Sequence, residues 1–234
     1  MNISRFKEEL ALINIEITSK QLELLNRYYE LLIFYNKKMN LTGITEKEDV
    51  YLKHFYDSLT INKIIDLNKV DSLCDIGTGA GFPGLVLKIM FPNLNVTLVD
   101  SLGKRINFLN TVIKELNLDK IEVVLERAEE YAIKNREKFD VVTSRAVANL
   151  SILMEYSIPL VKINGFFIPL KANVDEELKN IDNAKKLLSV DMLNKIDFLL
   201  PIENSNRNII KFVKKDKTNM KFPRKYSDMK KKPL

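Results

Sequence analysis

The chain has 234 residues, 46% apolar and 29% charged, with a formal net charge of +6, the profile of one generous globular domain, or one with an appendage, able to bury a substantial core. No apolar run reaches the length of a membrane span, and acids in the opening stretch MNISRFKEEL stand where a secretory signal would be apolar. One cysteine, Cys74, excludes an internal disulfide, and one histidine, His54, argues against a zinc site built from His and Cys, so a metal-free protein of the reducing cytoplasm is expected. The positive charge is concentrated: from Lys214 onward nine Lys/Arg face only Asp216 and Asp228. That surplus of seven leaves the rest of the chain near neutrality. A tail of this kind reads either as an arm for a polyanion or as a solvated terminus.

Helical periodicity covers residues 3–13 and 19–39; in the second stretch Leu22, Leu25, Tyr29, Leu32 and Ile33 share a face and Lys37 and Lys38 close the end. NLTGIT at 40–45 interrupts the pattern, and a third helical stretch, about 47–65, contains KHFYDSL. From residue 70 short apolar runs alternate with helical segments. The strands are DSLCDIG, NVTLVD, IEVVLER, FDVVTSRA and GFFIPLK; helices are predicted at 83–91, 103–118, about 128–133, 149–160 and 174–188. Two last strands, DFLLPI and RNIIKFVKK, are joined by ENSN without a helix and form a hairpin. Alternation of this kind implies an α/β fold with a mostly parallel sheet and one antiparallel member. Residues 1–66 make an N-terminal helical cap, 67–215 the core and 216–234 the basic tail, within one structural domain.

Four of the seven glycines, Gly77, Gly79, Gly81 and Gly84, fall within the eight residues that follow the first strand, in LCDIGTGAGFPG. Open α/β sheets bind ligands at this turn, and glycine lets backbone approach a ligand. Pro83 suits the first turn of the next helix. Gly79 to Gly84 matches G-x-G-x-x-G, and Asp100 lies nineteen residues after Gly81, where an acid holds ribose hydroxyls. A nicotinamide dinucleotide and S-adenosylmethionine both fit that pattern. Asp75, at the end of the first strand, repels a pyrophosphate but not a cationic amino-acid ligand. A helical prelude of sixty-five residues is also unusual before a nicotinamide domain. Both features favour the methyl donor.

DIGTGAGFPGLVLKI, followed by LVDSLGKRINFL and SRAVANL, resembles the bacterial 16S rRNA guanine-N7 methyltransferase family, RsmG or GidB. The resemblance runs upstream through NLTGIT and KHFYDSL and downstream to PRKYSDMKKKPL, and so covers nearly the whole chain. Members often carry a glycine-proline pair after the tail's arginine-lysine, where this chain has Tyr226-Ser227. The resemblance implies a Rossmann-like class I methyltransferase fold of seven strands, S-adenosylmethionine as cofactor, and methylation of one guanine in small-subunit rRNA. By motif, Gly77 and Phe82 line the cofactor pocket, Ala128 and Glu129 hold the adenine edge, and Arg145 sits where donor and target base meet. By position, Asp75, Gly79, Gly81, Asp100 and Ser101 extend the cofactor set. The implied partner is 16S rRNA in the small subunit or its precursor, with the protein acting as a monomer and away from membranes.

Guanine N7 carries an in-plane lone pair and no proton, so its methylation needs alignment in a dry pocket and no general base. Cys74, inside a buried strand, is expected to be core packing. His54 either packs within its helix, the reading preferred here, or orients a cofactor or substrate group; Asp57, three residues on, faces the same side, and the two together fasten the cap over the pocket. Lys104 joins Arg145 on the catalytic side as a holder of RNA phosphate, with Arg105 beside it and Lys171 at the same rim. Phe6, Tyr28, Tyr29 and Phe34 are expected in the core. Two other classes compete: a nicotinamide-dependent oxidoreductase, and a non-enzymatic rRNA-binding or assembly module.

Overall fold

The computed structural model describes residues 1–145 and 148–234; Ala146 and Val147 of the SRAVANL stretch lie outside the described residues. Helices α1 (Ile3–Ala11) and α2 (Ser19–Met39) open the chain. α2 starts on a capping box: the Gln21 amide donates to the Thr18 hydroxyl while the Gln21 side-chain oxygen accepts from the Thr18 amide at 2.9 Å. It ends at Asn40, whose φ of 49° is left-handed. The buried face of α2 is Leu25, Tyr28, Leu31 and Leu32, rotated from the expected stripe toward Tyr28 because that ring packs on the glycine turn. The expected single helix at 47–65 is instead α3 (Lys47–Val50), a π-helical turn at Tyr51–Tyr56, α4 (Asp57–Leu59) and a 3₁₀ turn at Thr60–Lys63.

Seven strands form one sheet in the order β3-β2-β1-β4-β5-β7-β6. They are β1 (Ser72–Ile76), β2 (Asn95–Asp100), β3 (Ile121–Leu125), β4 (Phe139–Arg145), β5 (Val161–Lys171), β6 (Val190–Leu199) and β7 (Asn206–Lys214). β1 to β5 pair in parallel, and β7 lies antiparallel to both β5 and β6. The connecting helices are α5 (Gly84–Met90), α6 (Gly103–Glu115), α7 (Ala128–Lys134), α8 (Leu150–Ser157), α9 (Asp175–Leu178) and α10 (Asp182–Leu188); α11 (Tyr226–Lys231) lies in the tail. The predicted helix at 174–188 is thus two short ones. β6 begins at Val190, well before the predicted DFLLPI: as an edge strand with most side chains exposed, it is set by pairing with β7 and carries little apolar pattern.

One core packs α1, α2, the π turn, α5 and α6 onto one face of the sheet, so Phe6, Tyr28 and Phe55 share a cluster with Leu73, Val141 and Ile168. The other core holds α7, α8 and α10 together with Phe222 and Met229 of the tail. The chain moves outward from β1 to β3 through α5 and α6, then returns to β4 through α7 on the opposite face. β1 and β4 therefore flank a topological switch point, and the crevice beyond their carboxyl ends is where such sheets bind ligands.

Candidate active site

The turn after β1 is built on backbone that side chains would obstruct. Gly79 has a φ of +63°, and a Cβ there would meet nothing within 4 Å, so the turn opens directly onto free space. Gly81, at φ +102°, is constrained for the opposite reason: a Cβ would come within 2.7 Å of the Tyr28 hydroxyl and 2.9 Å of Leu85 Cβ. That hydroxyl donates to the Ala80 carbonyl, so the cap helix α2 braces the turn from behind. The space in front is a cavity of about 520 Å³ bounded by residues 76–80, Phe82, the tip of β2, residues 126–129, Arg145 and His54.

Two carboxylates hold the turn. Asp75 Oδ2 accepts from the Thr78 hydroxyl at 2.6 Å and the Gly84 amide at 2.8 Å, while its Oδ1 has no partner among the described residues. The side chain is fully buried beneath the turn, and burial pushes its carboxyl up to about 6. Asp75, expected in the cofactor set from its position, is absent from the cavity wall and instead orders the turn from beneath. Asp100 does line the cavity; its Oδ2 accepts from the Gly79 amide at 2.9 Å and from Arg105 at 3.0 Å.

Across the cavity Arg145 is held on three sides. Its Nη1 donates to the Lys53 carbonyl and to Asp57 Oδ2, each at 3.0 Å, and its Nη2 lies 3.2 Å from His54 Nδ1. Asp57 Oδ1 accepts in turn from Arg207 Nε at 2.8 Å. An arginine only donates, so Nδ1 of His54 is unprotonated and Nε2–H donates to the Thr42 hydroxyl, 2.8 Å away. Burial and the Arg145 charge push the imidazole down to about 3, which keeps it neutral. Its ring stacks on Phe82 with centroids 4.3 Å apart, and the Arg145 guanidinium lies 5.2 Å from the same ring. Two of the five N–H donors of Arg145 have no partner among the described residues.

Of the residues expected at the site, Gly77, Gly79, Phe82, Asp100, Ser101, Arg105, Ala128, Glu129 and Arg145 line the cavity together. Gly81 lies behind the turn against Tyr28. Lys104, expected beside Arg145, does not line the cavity: its ammonium donates to the Met39 carbonyl at 2.8 Å, drawn to the unpaired carbonyls that end α2. Lys171 is likewise turned away, onto Glu177 and the Ala148 carbonyl. Cys74 is buried core, its thiol pushed well above its ordinary value by burial. His54, read first as helix packing, in fact joins Arg145 to Thr42. Sequence reading missed Thr42, Arg127, Tyr156 and Tyr226 on the cavity wall; the break at NLTGIT was the one available signal, for Thr42.

The strand order, with a glycine turn leaving β1 and a carboxylate at the tip of β2, defines the Rossmann-like fold of class I S-adenosylmethionine-dependent methyltransferases. The chain is similar in fold to a SAM dependent methyltransferase from Aquifex aeolicus, with a TM-score of 0.54 at 14% identity over 72% of this chain and 94% of that one. A family model described as rRNA small subunit methyltransferase G (GidB) matches residues 21–210. Curated relatives called ribosomal RNA small subunit methyltransferase G are 48% identical in Bacillus pumilus and 50% identical in Bacillus velezensis, each covering 100% of this chain and 99% of the relative. The chain belongs to the family of rRNA small subunit methyltransferase G.

Proposed function

We propose that the protein transfers the methyl group of S-adenosylmethionine to N7 of one guanine in the 16S rRNA of the small ribosomal subunit. The observation that carries the cofactor reading is how the turn's amides are used. Gly84, the first residue of α5, gives its N–H to Asp75, and Gly79 gives its N–H to Asp100. These are donors a pyrophosphate would need, and both are already taken up by carboxylates whose charge repels it. A cationic sulfonium donor meets no such repulsion, and the open space at Gly79 accepts it.

When bound, the donor supplies an electrophilic methyl group on a positively charged sulfur. Gly77 to Ala80 and Phe82 enclose the methionine end, Asp100 takes ribose hydroxyls beside Arg105, and Ala128 with Glu129 receives the adenine edge. Arg145, fixed by Asp57, Lys53 and His54, directs its remaining N–H groups toward guanine O6 or a flanking phosphate. A base is not required, because N7 has no proton to remove. The chain's only histidine has both ring nitrogens engaged and is neutral, which agrees with that chemistry. The cap (1–66) is the part that positions Arg145, the core (67–215) holds the donor, and the tail (216–234) meets rRNA. Action as a metal-free monomer in the cytoplasm completes the proposal; sedimentation of the purified protein tests the oligomeric state.

The decisive experiment is transfer of tritiated methyl from S-adenosylmethionine to small subunits, and to naked 16S rRNA, from a strain lacking the activity. Label recovered as 7-methylguanine supports the reaction and the atom together. Label at another position, or none with a donor-saturated protein, overturns it.

A further inference from the structure

We propose that the C-terminal segment closes one wall of the donor cavity and that the Tyr226 ring stacks on the adenine base of the donor, a step that rests on the methyl-donor reading above. The tail is not a free arm. Arg136 donates to the Phe222 carbonyl at 2.7 Å and to the Thr218 carbonyl at 2.5 Å. Arg224 then forks onto Glu155, Nε to Oε1 at 2.8 Å and Nη2 to Oε2 at 2.6 Å, while its own amide donates to Oε1 at 2.9 Å. Glu155 is fully buried on α8, and the next residue, Tyr156, lines the cavity. Further along, Met229 is fully buried in the second core. Tyr226 is therefore held between two fixed points and cannot swing with a loose terminus.

Tyr226 lines the cavity, 37% exposed, and among the described residues it is the only large apolar side chain on the cavity wall that is left exposed. The Arg127 guanidinium lies 5.3 Å from its centroid, and Arg127 Nε donates to Glu129 at 2.6 Å. Tyr226, Arg127 and Glu129 thus form one end of the cavity, at the tip of β3 and apart from the Phe82–His54–Arg145 cluster. The guanidinium thus covers one face of a ring that keeps part of its surface exposed, and such a ring is a stacking platform for a planar base. The base in question is either the donor's adenine or a nucleobase of the RNA; the position at the β3 tip, beside Ala128 and Glu129, favours adenine.

The chain contains no tryptophan, so Tyr226→Trp installs a single fluorophore at this wall. Its emission is expected to change on titration with S-adenosylhomocysteine and with adenosine, in the absence of RNA, and not with methionine. By calorimetry, Tyr226→Ala is expected to bind S-adenosylhomocysteine about tenfold more weakly than the parent, and Tyr226→Phe within about twofold, since a ring and not a hydroxyl does the stacking. Melting temperatures close to the parent's establish that Arg224 and Met229 still dock the segment. Parent-like affinity in Tyr226→Ala, or an emission change produced by RNA alone, overturns the inference while leaving the methyl-donor reading intact. A parent protein that binds no S-adenosylhomocysteine overturns both.

Discussion

Replacing Asp57 by Asn tests the arrangement that holds Arg145. The carboxylate, 7% exposed, accepts from Arg145 at 3.0 Å and Arg207 at 2.8 Å, whose side chains are 14% and 19% exposed. Asparagine keeps one acceptor oxygen and turns an NH₂ toward the other cation, so one charge-assisted bond is lost and a guanidinium is left poorly paired. Such bonds contribute about 1.5–3 kcal/mol each, and breaking a buried pair costs about 3–5 kcal/mol. Because all three groups keep some solvent contact, about 2–3 kcal/mol is expected for Asp57→Asn. At roughly 2–4 °C per kcal/mol for a chain of this size, the melting temperature should fall by about 5–10 °C. The control is Asp49→Asn, which removes a 3.5 Å contact to Lys53 from a side chain 47% exposed and should cost less than about 0.5 kcal/mol. Methyl transfer by Asp57→Asn should drop at least tenfold with donor affinity held within about threefold, since the residue acts through Arg145. Melting and turnover both within error of the parent would refute the claim that Asp57 fixes Arg145.

His54 is the single histidine, so its ring proton resonances are unambiguous; they should stay constant from pH 8 to pH 5, because its pKa lies at about 3, and a midpoint near 6.5 would contradict the neutral imidazole. Stability from this depressed group is present above its unfolded value of 6.5 and is lost as pH falls toward about 3. Asp75 has the opposite sign: its raised value, about 6 against 3.8, means that the stability it confers is complete below pH 3.8 and is lost as pH rises through about 6. The stability of Asp75→Asn relative to the parent should therefore grow by about 2–3 kcal/mol between pH 4 and 6.5 and then level off; parallel stability curves would dismiss the buried carboxyl as its cause. Changing the exposed Lys230, Lys231 and Lys232 together to Gln should reduce the slope of log affinity for rRNA against log salt by about 2, without moving the melting temperature. An unchanged slope would separate the tail's lysines from RNA binding.

Much of the fold was open to sequence reading because its signals are short-range. The Thr18–Gln21 capping box starts α2 within four residues, NVTLVD matches β2 residue for residue, and the glycines after β1 announce a turn that side chains would block. Edges of elements were harder. β6 extends back to Val190 because β7 pairs with it, and the π turn at Tyr51–Tyr56 gives no period that differs visibly from a helix.

The succession of strands along the chain, the glycine turn and the acid at the tip of β2 are written into local runs of residues, since propensity and turn geometry act over a few positions at a time, whereas the order of the strands within the sheet is set by their pairing. Which side chains share a cavity is another matter. Asp57 and Arg207 meet across 150 positions, Tyr226 returns from the tail to Arg127, Lys104 turns to the end of α2, and Asp75 disappears beneath the turn it seemed to front. Those outcomes follow from the packing of the cap and tail on the two faces of the sheet, and desolvation and charge pairing take their values only there.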